Sequence, residues 1–128
     1  MTPQKPPRTH GLAHVIAATG YSLTGLQRLW QEASFRQEVT IGAVALVVLW
    51  ASGAPVGSLL IFGLLLLALL AFEALNTAIE VIVDHLSPEW SEFGKQAKDA
   101  GSAAVFLMIL ANAICFLVTM VQILLTNV

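Results

Sequence analysis

Four polar side chains interrupt the apolar run from Leu66 to Leu86, LLALLAFEALNTAIEVIVDHL: Glu73, Asn76, Glu80 and Asp84. At about 100° per residue, a helix places all four within roughly 80° of one another around its axis. A carboxylate at membrane depth costs about 2.5–3.5 kcal/mol even on lenient insertion scales, so its presence there points to function. Carboxylates are hard oxygen donors, and Mg²⁺ is usually held by one or two of them together with substrate phosphates. Lys98, in the polar segment that follows, can meet a phosphate as a point charge. A carboxylate within reach of a hydroxyl can take its proton as a general base. These parts suit phosphoryl transfer, where catalysis is chiefly positioning and charge neutralisation. The chain has no Walker A sequence and no kinase-type glycine-rich loop, so a nucleotide site here would be of another kind. Two other uses fit the same stripe: a proton- or cation-coupled transporter with Glu73 or Glu80 as carrier, and a polar seam that merely joins helices.

The elements that hold this stripe are strongly apolar. Of 128 residues, 57% are hydrophobic and 11% charged, and the mean hydropathy is +0.80; ordinary globular domains are about 25% charged. The expected fold is an all-α membrane protein with an N-terminal amphipathic surface helix and three transmembrane helices. It forms one domain over residues 11–128, after a disordered N-terminus at residues 1–10. In the surface helix, at about 11–30, Val15, Ile16, Leu23, Leu26, Leu29 and Trp30 recur at helical spacing among polar residues. Tyr21 and Trp30 are expected at headgroup level, and Gly20 and Gly25 predict a break. The alternative is a helix packed on the bundle. Val39 to Ala51 alone is too short to cross, so the first span extends back to about 33–51. Ser52 to Gly57 is a turn, and the second span is expected at about 59–86. A polar loop from Ser87 to Lys98 follows, where Ser87 and Pro88 read as an N-cap and first helical position. The third span, about 100–126, opens with Ala100, Gly101, Ser102, Ala103 and Ala104, small enough for close helix approach.

Charge narrows the possibilities further. The net charge is −2, and the six basic residues form no cluster dense enough for a phosphate backbone, so nucleic acid is not an expected partner. Lys5, Arg8, Arg28, Arg36, Lys95 and Lys98 all precede the first span or lie between the second and third. By the positive-inside rule the N-terminus and that loop are cytoplasmic and the C-terminus is outside, which brings the acidic half of the second span near soluble nucleotides. The first thirty residues contain no secretory h-region and cleavage site, so the apolar segments are expected to remain as spans. Cys115 reads as a small hydrophobe, and His10, His14 and His85 lack the spacing of a zinc site. Structural roles compete at three places. Asp84 can simply solvate a helix end, Glu38 can order the entry to the first span, and Trp50 and Trp90 can anchor the interface.

The segments EALNTAIE (Glu73 to Glu80) with Asp84, and KDAGSAA (Lys98 to Ala104), closely resemble the signature segments of the prokaryotic diacylglycerol kinase family, which includes the undecaprenol kinases. GYS at Gly20 to Ser22 and FRQE at Phe35 to Glu38 match as well, and the order of surface helix and three spans covers nearly the whole chain. The resemblance implies a lipid kinase of the bacterial inner membrane that uses Mg²⁺ with ATP, and a homotrimer with composite active sites. Glu73 matches the catalytic base, and Asn76 an active-site residue beside it. Glu32 and Glu80 match the carboxylates that hold the Mg²⁺ bound to ATP. Lys98 and Asp99 match the pair on the nucleotide, and Tyr21, Glu89, Trp90 and Ser91 fall where the family also touches ATP. Ser34, Phe35, Arg36, Gln37 and Glu38, with Glu73 and Ser102, fall on the lipid substrate. FRQE and KDAGS resemble the diacylglycerol-type members more than the undecaprenol kinases. The implied reaction is therefore γ-phosphoryl transfer from ATP to diacylglycerol, giving phosphatidic acid, with undecaprenol as the alternative acceptor.

Overall fold

The computed structural model describes residues 11–126; the disorder expected at residues 1–10 lies outside them. Four helices follow in order: α1 (Leu12–Leu29), α2 (Ala33–Ala51), α3 (Val56–Leu86) and α4 (Glu92–Thr126). The last three are each long and apolar enough to cross a membrane, so the protein is a multi-pass, all-helical membrane protein.

The first helix is continuous, and the break expected at Gly20 or Gly25 does not occur. A glycine costs a helix only about 1 kcal/mol, and no proline forces a stop. The hydroxyls of Thr19, Ser22 and Thr24 turn back to the carbonyls of Val15, Ala18 and Gly20 in the preceding turn. α1 stands outside the principal interfaces, which join α3 to α4, α2 to α3 and α2 to α4. Its tether is Arg36, whose Nη1 donates to the carbonyls of Trp30 at 2.9 Å and Gln31 at 2.8 Å. A cation on carbonyls left free at a helix C-terminus also meets the negative end of the helix dipole.

The turn expected at Ser52 to Gly57 is present, with a specific geometry. Gly53 has φ 83°; its N–H reaches the Trp50 carbonyl at 3.1 Å, and that of Ala54 reaches Leu49 at 3.0 Å. This is a Schellman closure, and glycine supplies the left-handed residue it needs. Pro55 then leads into α3, which begins at Val56 rather than near Leu59. Between α3 and α4 the expected cap is corrected. Ser87 ends α3, with Pro88 preventing its continuation, and Ser91 is the N-cap of α4. The Ser91 Oγ accepts the Gly94 N–H at 3.1 Å, and the Ser87 hydroxyl donates to Ser91 Oγ at 2.7 Å. The stretch from Glu92 to Asp99, expected mostly as loop, is therefore helical.

The three long helices meet along narrow seams. The buried residues are Phe35, Gly42 and Leu49 on α2, then Phe62, Leu69, Glu73 and Val83 on α3. On α4 they are Gly94, Gly101, Val105, Asn112 and Thr119. Except from Glu73 to Val83, the steps are seven or four, those of left-handed helix packing. Antiparallel register follows from the contacts. Gly42 lies against Leu66, Gly101 against Asn76, and Phe62 against Phe116 with ring centroids 6.3 Å apart. Midway along, Asn112 Nδ2 donates both to Met108 O in its own helix at 2.8 Å and across to Leu65 O at 3.1 Å. Sequence reasoning did not single out this residue. Asn112→Ala is expected to destabilise the protein by about 1 kcal/mol, the usual worth of an interhelical hydrogen bond in a membrane. Reversible unfolding in mixed micelles measures it.

Candidate active site

A carboxylate cannot sit on a helix seam without a hydrogen-bonding partner, because unpaired burial of a charge is severely unfavourable. Glu73 occupies such a position, one turn beyond Leu69, and is only 5% exposed. Its partner comes from α2: the Ser34 hydroxyl donates to Glu73 Oε1. The approach of the helices that allows this is set by Phe35, buried beside Ser34, and by Gly42, where a Cβ would overlap the Leu66 side chain.

One turn further along α3, Asn76 Nδ2 donates to Glu80 Oε1 at 3.1 Å. The other end of this amide faces α4. Asn76 Oδ1 is buried without a hydrogen-bond partner, and a Cβ built on Gly101 would run into it. Gly101 is thus the residue that admits Asn76 to the interface, and Asn76 in turn fixes one oxygen of Glu80. Sequence reasoning read Gly101 only as one of a group of small residues. The signal for its particular role is the register between helices, which a single sequence does not carry.

At the end of the bundle, Lys98 Nζ pairs with Asp84 Oδ1 at 2.5 Å, and Lys95 Nζ with Asp99 Oδ2 at 2.6 Å. Both pairs are substantially solvent-exposed and contribute little to stability. Their significance is placement. Asp84, Glu89, Trp90, Ser91, Lys98 and Asp99 line one cavity of about 350 Å³ in the α3–α4 turn. Five of these were expected on the nucleotide. Asp84, for which solvating a helix end was the competing role, stands here as the partner of Lys98.

The remaining expected residues are dispersed. Tyr21 is exposed on α1, Glu32 is half-buried at the N-cap of α2, and Glu80 and Ser102 are exposed on α3 and α4. Arg36 is engaged by the carbonyls of Trp30 and Gln31, and Gln37 is exposed beside it. Glu38 borders a second cavity, of about 460 Å³, whose wall apart from Glu38 and Asn112 is apolar and includes Phe62, Leu66, Leu69 and Phe116. Its Oε2 is buried without a hydrogen-bond partner. Among the described residues, no three His, Cys, Asp or Glu side chains converge as a metal cluster.

A carboxylate buried at a helix seam, a second carboxylate oriented by an amide, and lysines beside a polar cavity in a bundle of membrane-length helices are parts that suit phosphoryl transfer. Comparison with known proteins gives the particular kind. The family model described as prokaryotic diacylglycerol kinase matches residues 20–120. A diacylglycerol kinase from Sinorhizobium sp is 47% identical over 104 residues, covering 81% of this chain and 76% of its own. That of Escherichia coli strain K12 is 37% identical over 108 residues, covering 83% and 88%. That of Pseudomonas aeruginosa strain PAO1 is 42% identical over 99 residues, covering 76% and 80%. The chain belongs to the prokaryotic diacylglycerol kinase family.

If Gly101 serves Asn76, then Gly101→Ala is expected to reduce ATP-dependent turnover by about tenfold in the otherwise unaltered protein. In an Asn76→Ala background the same substitution is expected to cost almost nothing more, since the side chain that clashed is gone. A double-mutant cycle on kcat/KM for ATP checks this.

Proposed function

We propose that this protein transfers the γ-phosphoryl group of ATP to the free hydroxyl of diacylglycerol, giving phosphatidic acid and ADP, with the roles divided along α3. The observation that carries the division is the placement of Glu73. It is buried on the seam with one oxygen held by Ser34, while Glu80, two turns on, is exposed and held by Asn76. Glu73 takes the proton from the lipid hydroxyl as that oxygen bonds to the γ-phosphorus and the bond to the ADP oxygen breaks. A buried base is shielded from water, which would otherwise compete as acceptor. Asn76 orients the carboxylate beside it and contributes its polarity to the site.

Lys98 leaves Asp84 to meet the nucleotide phosphates, and Asp99, Glu89, Trp90 and Ser91 complete that cavity, with Tyr21 closing on it from α1. Glu80 and Glu32 are the residues that would hold Mg²⁺. The fit rests on donor chemistry: both are hard oxygen donors off the buried seam, and Mg²⁺ takes its remaining ligands from phosphate and water. When bound, the metal neutralises charge on the phosphates. On the lipid side, Phe35, Arg36, Gln37, Glu38 and Ser102 border the acceptor, and the apolar cavity of about 460 Å³ beside Glu38 suits an acyl chain.

The placement of the basic residues supports an inner-membrane orientation with the N-terminus in the cytoplasm and the C-terminus outside. A homotrimer with composite sites is supported by α1, which stays outside the main interfaces of its own chain, and by the α3–α4 cavity, whose lining includes neither Tyr21 nor Glu32.

Two measurements test this division in bilayers or mixed micelles. ATP turnover is expected with diacylglycerol and not with undecaprenol; undecaprenol-dependent turnover alone would change the acceptor, and no lipid-dependent turnover at all would remove the kinase assignment. Glu73→Gln is expected to abolish turnover with ATP affinity retained, whereas Glu80→Gln weakens Mg-ATP binding itself, by about tenfold or more. Equal loss of nucleotide affinity in both variants would overturn the assignment of base and metal ligand.

A further inference from the structure

Ser34 treats its hydroxyl differently from other helical hydroxyls of the protein. Those of Thr19, Ser22, Thr24, Thr40, Thr119 and Thr126 each turn back to the carbonyl four residues earlier in their own helix. For Ser34 that carbonyl belongs to Trp30, in the turn before α2, and it is engaged by Arg36. The Ser34 hydroxyl crosses instead to α3 and donates to Glu73 Oε1, the one hydrogen bond to this carboxylate among the described residues. Ser34 is the second residue of α2, directly before Phe35, whose burial fixes the backbone from which the hydroxyl reaches out.

We propose that Ser34 is a positioning residue for the general base: it holds Oε1 of Glu73 and leaves Oε2 to take the proton of the acceptor hydroxyl. This rests on Glu73 being the base. A hydroxyl has a single proton to donate, and an ionised carboxylate only accepts, through two oxygens. With the Ser34 proton committed to Oε1, one face of the carboxylate is taken and the other is free for substrate. A glutamate has three side-chain torsions to fix, and a carboxylate turned away from the acceptor would be lost to the reaction. The hydrogen bond selects one orientation, and misplacement of a reacting group by about 1 Å can cost a hundredfold in rate. The same bond supplies the buried carboxylate with a donor, so one contact serves both the solvation of Glu73 and its aim.

The test uses the full chain in mixed micelles, with turnover titrated against both Mg-ATP and diacylglycerol. Ser34→Ala and Ser34→Cys, the latter near in volume but a weak donor, are expected to lower kcat by about tenfold while both KM values change less than about threefold. Ser34→Thr, which restores the hydroxyl, is expected to recover most of the loss. ATP affinity measured on the same samples by equilibrium titration reports that the variants are folded. A wild-type kcat in Ser34→Ala overturns the proposal, as does a change confined to KM for diacylglycerol, which would make Ser34 a wall of the lipid pocket. Failure of Ser34→Thr to recover activity while folded overturns it too. The base assignment is tested separately by Glu73→Gln: turnover surviving in that variant removes the role of Glu73, whereas Glu73→Gln inactive with Ser34→Ala fully active removes only that of Ser34.

Discussion

The structure depends on keeping a carboxylate in a place built for a hydrophobic side chain. Glu73 sits on the same α3 seam as Phe62 and Leu69, at a spacing where leucine would pack without difficulty. The Ser34 hydroxyl is its partner, which requires one relative height of α2 and α3. The rest of the α2–α3 interface is consistent with the same height: seven residues back along α3 and eight forward along α2, Leu66 fills the space left by the missing side chain of Gly42. Solvation of one charge and registration of two helices are thus the same problem, solved once.

Two polar contacts join α3 to α4 at matching offsets. From Asn76 to Leu65 is eleven residues, as it is from Gly101 to Asn112, and each pair is in contact. Eleven residues are about three turns, so the contacts return to the same side of both helices. At the centre an amide joins the backbones directly; towards the end of the bundle an amide passes between them to the second carboxylate; beyond that, Lys98 and Asp84 face each other in the open. Polarity therefore increases in steps along one interface, from a dry hydrogen bond to a solvated ion pair.

Much of this was legible from residue types. Three apolar runs, the turn carried by Gly53, and the stripe from Glu73 to Asp84 all follow from hydropathy and helical spacing. The EALNTAIE and KDAGSAA segments pointed to the family that the comparisons then established. What could not be read were facts about pairs of helices. In a soluble helix the apolar face marks the packed side, but a membrane helix is apolar all round, and here the packed side of α4 is marked by Gly94, Gly101, Asn112 and Thr119. Which partner each of these meets depends on register. So the service of Gly101 to Asn76, the bridge made by Asn112 and the reach of Ser34 to Glu73 had no local signal. The start of α4 was misjudged for a different reason. Ser87 and Pro88 look like a helix opening, yet the same pair can close one, and only the Ser91 bond to Gly94 decides between them.

The unbroken run of α4 has a consequence for the setting in which the protein works. Its 35 residues extend about 52 Å, well beyond the roughly 30 Å of hydrocarbon in a bilayer. The excess carries the α3–α4 cavity on a continuous helix, and α3 holds Glu73 at a fixed distance along the bundle from it. The protein is therefore a ruler standing in a medium of variable depth. The depth of the hydrocarbon is set by the surrounding lipids, while the Glu73 carboxylate rides at a level set by helix length. Bilayer thickness, a property of no part of the chain, thereby decides how deep that carboxylate lies.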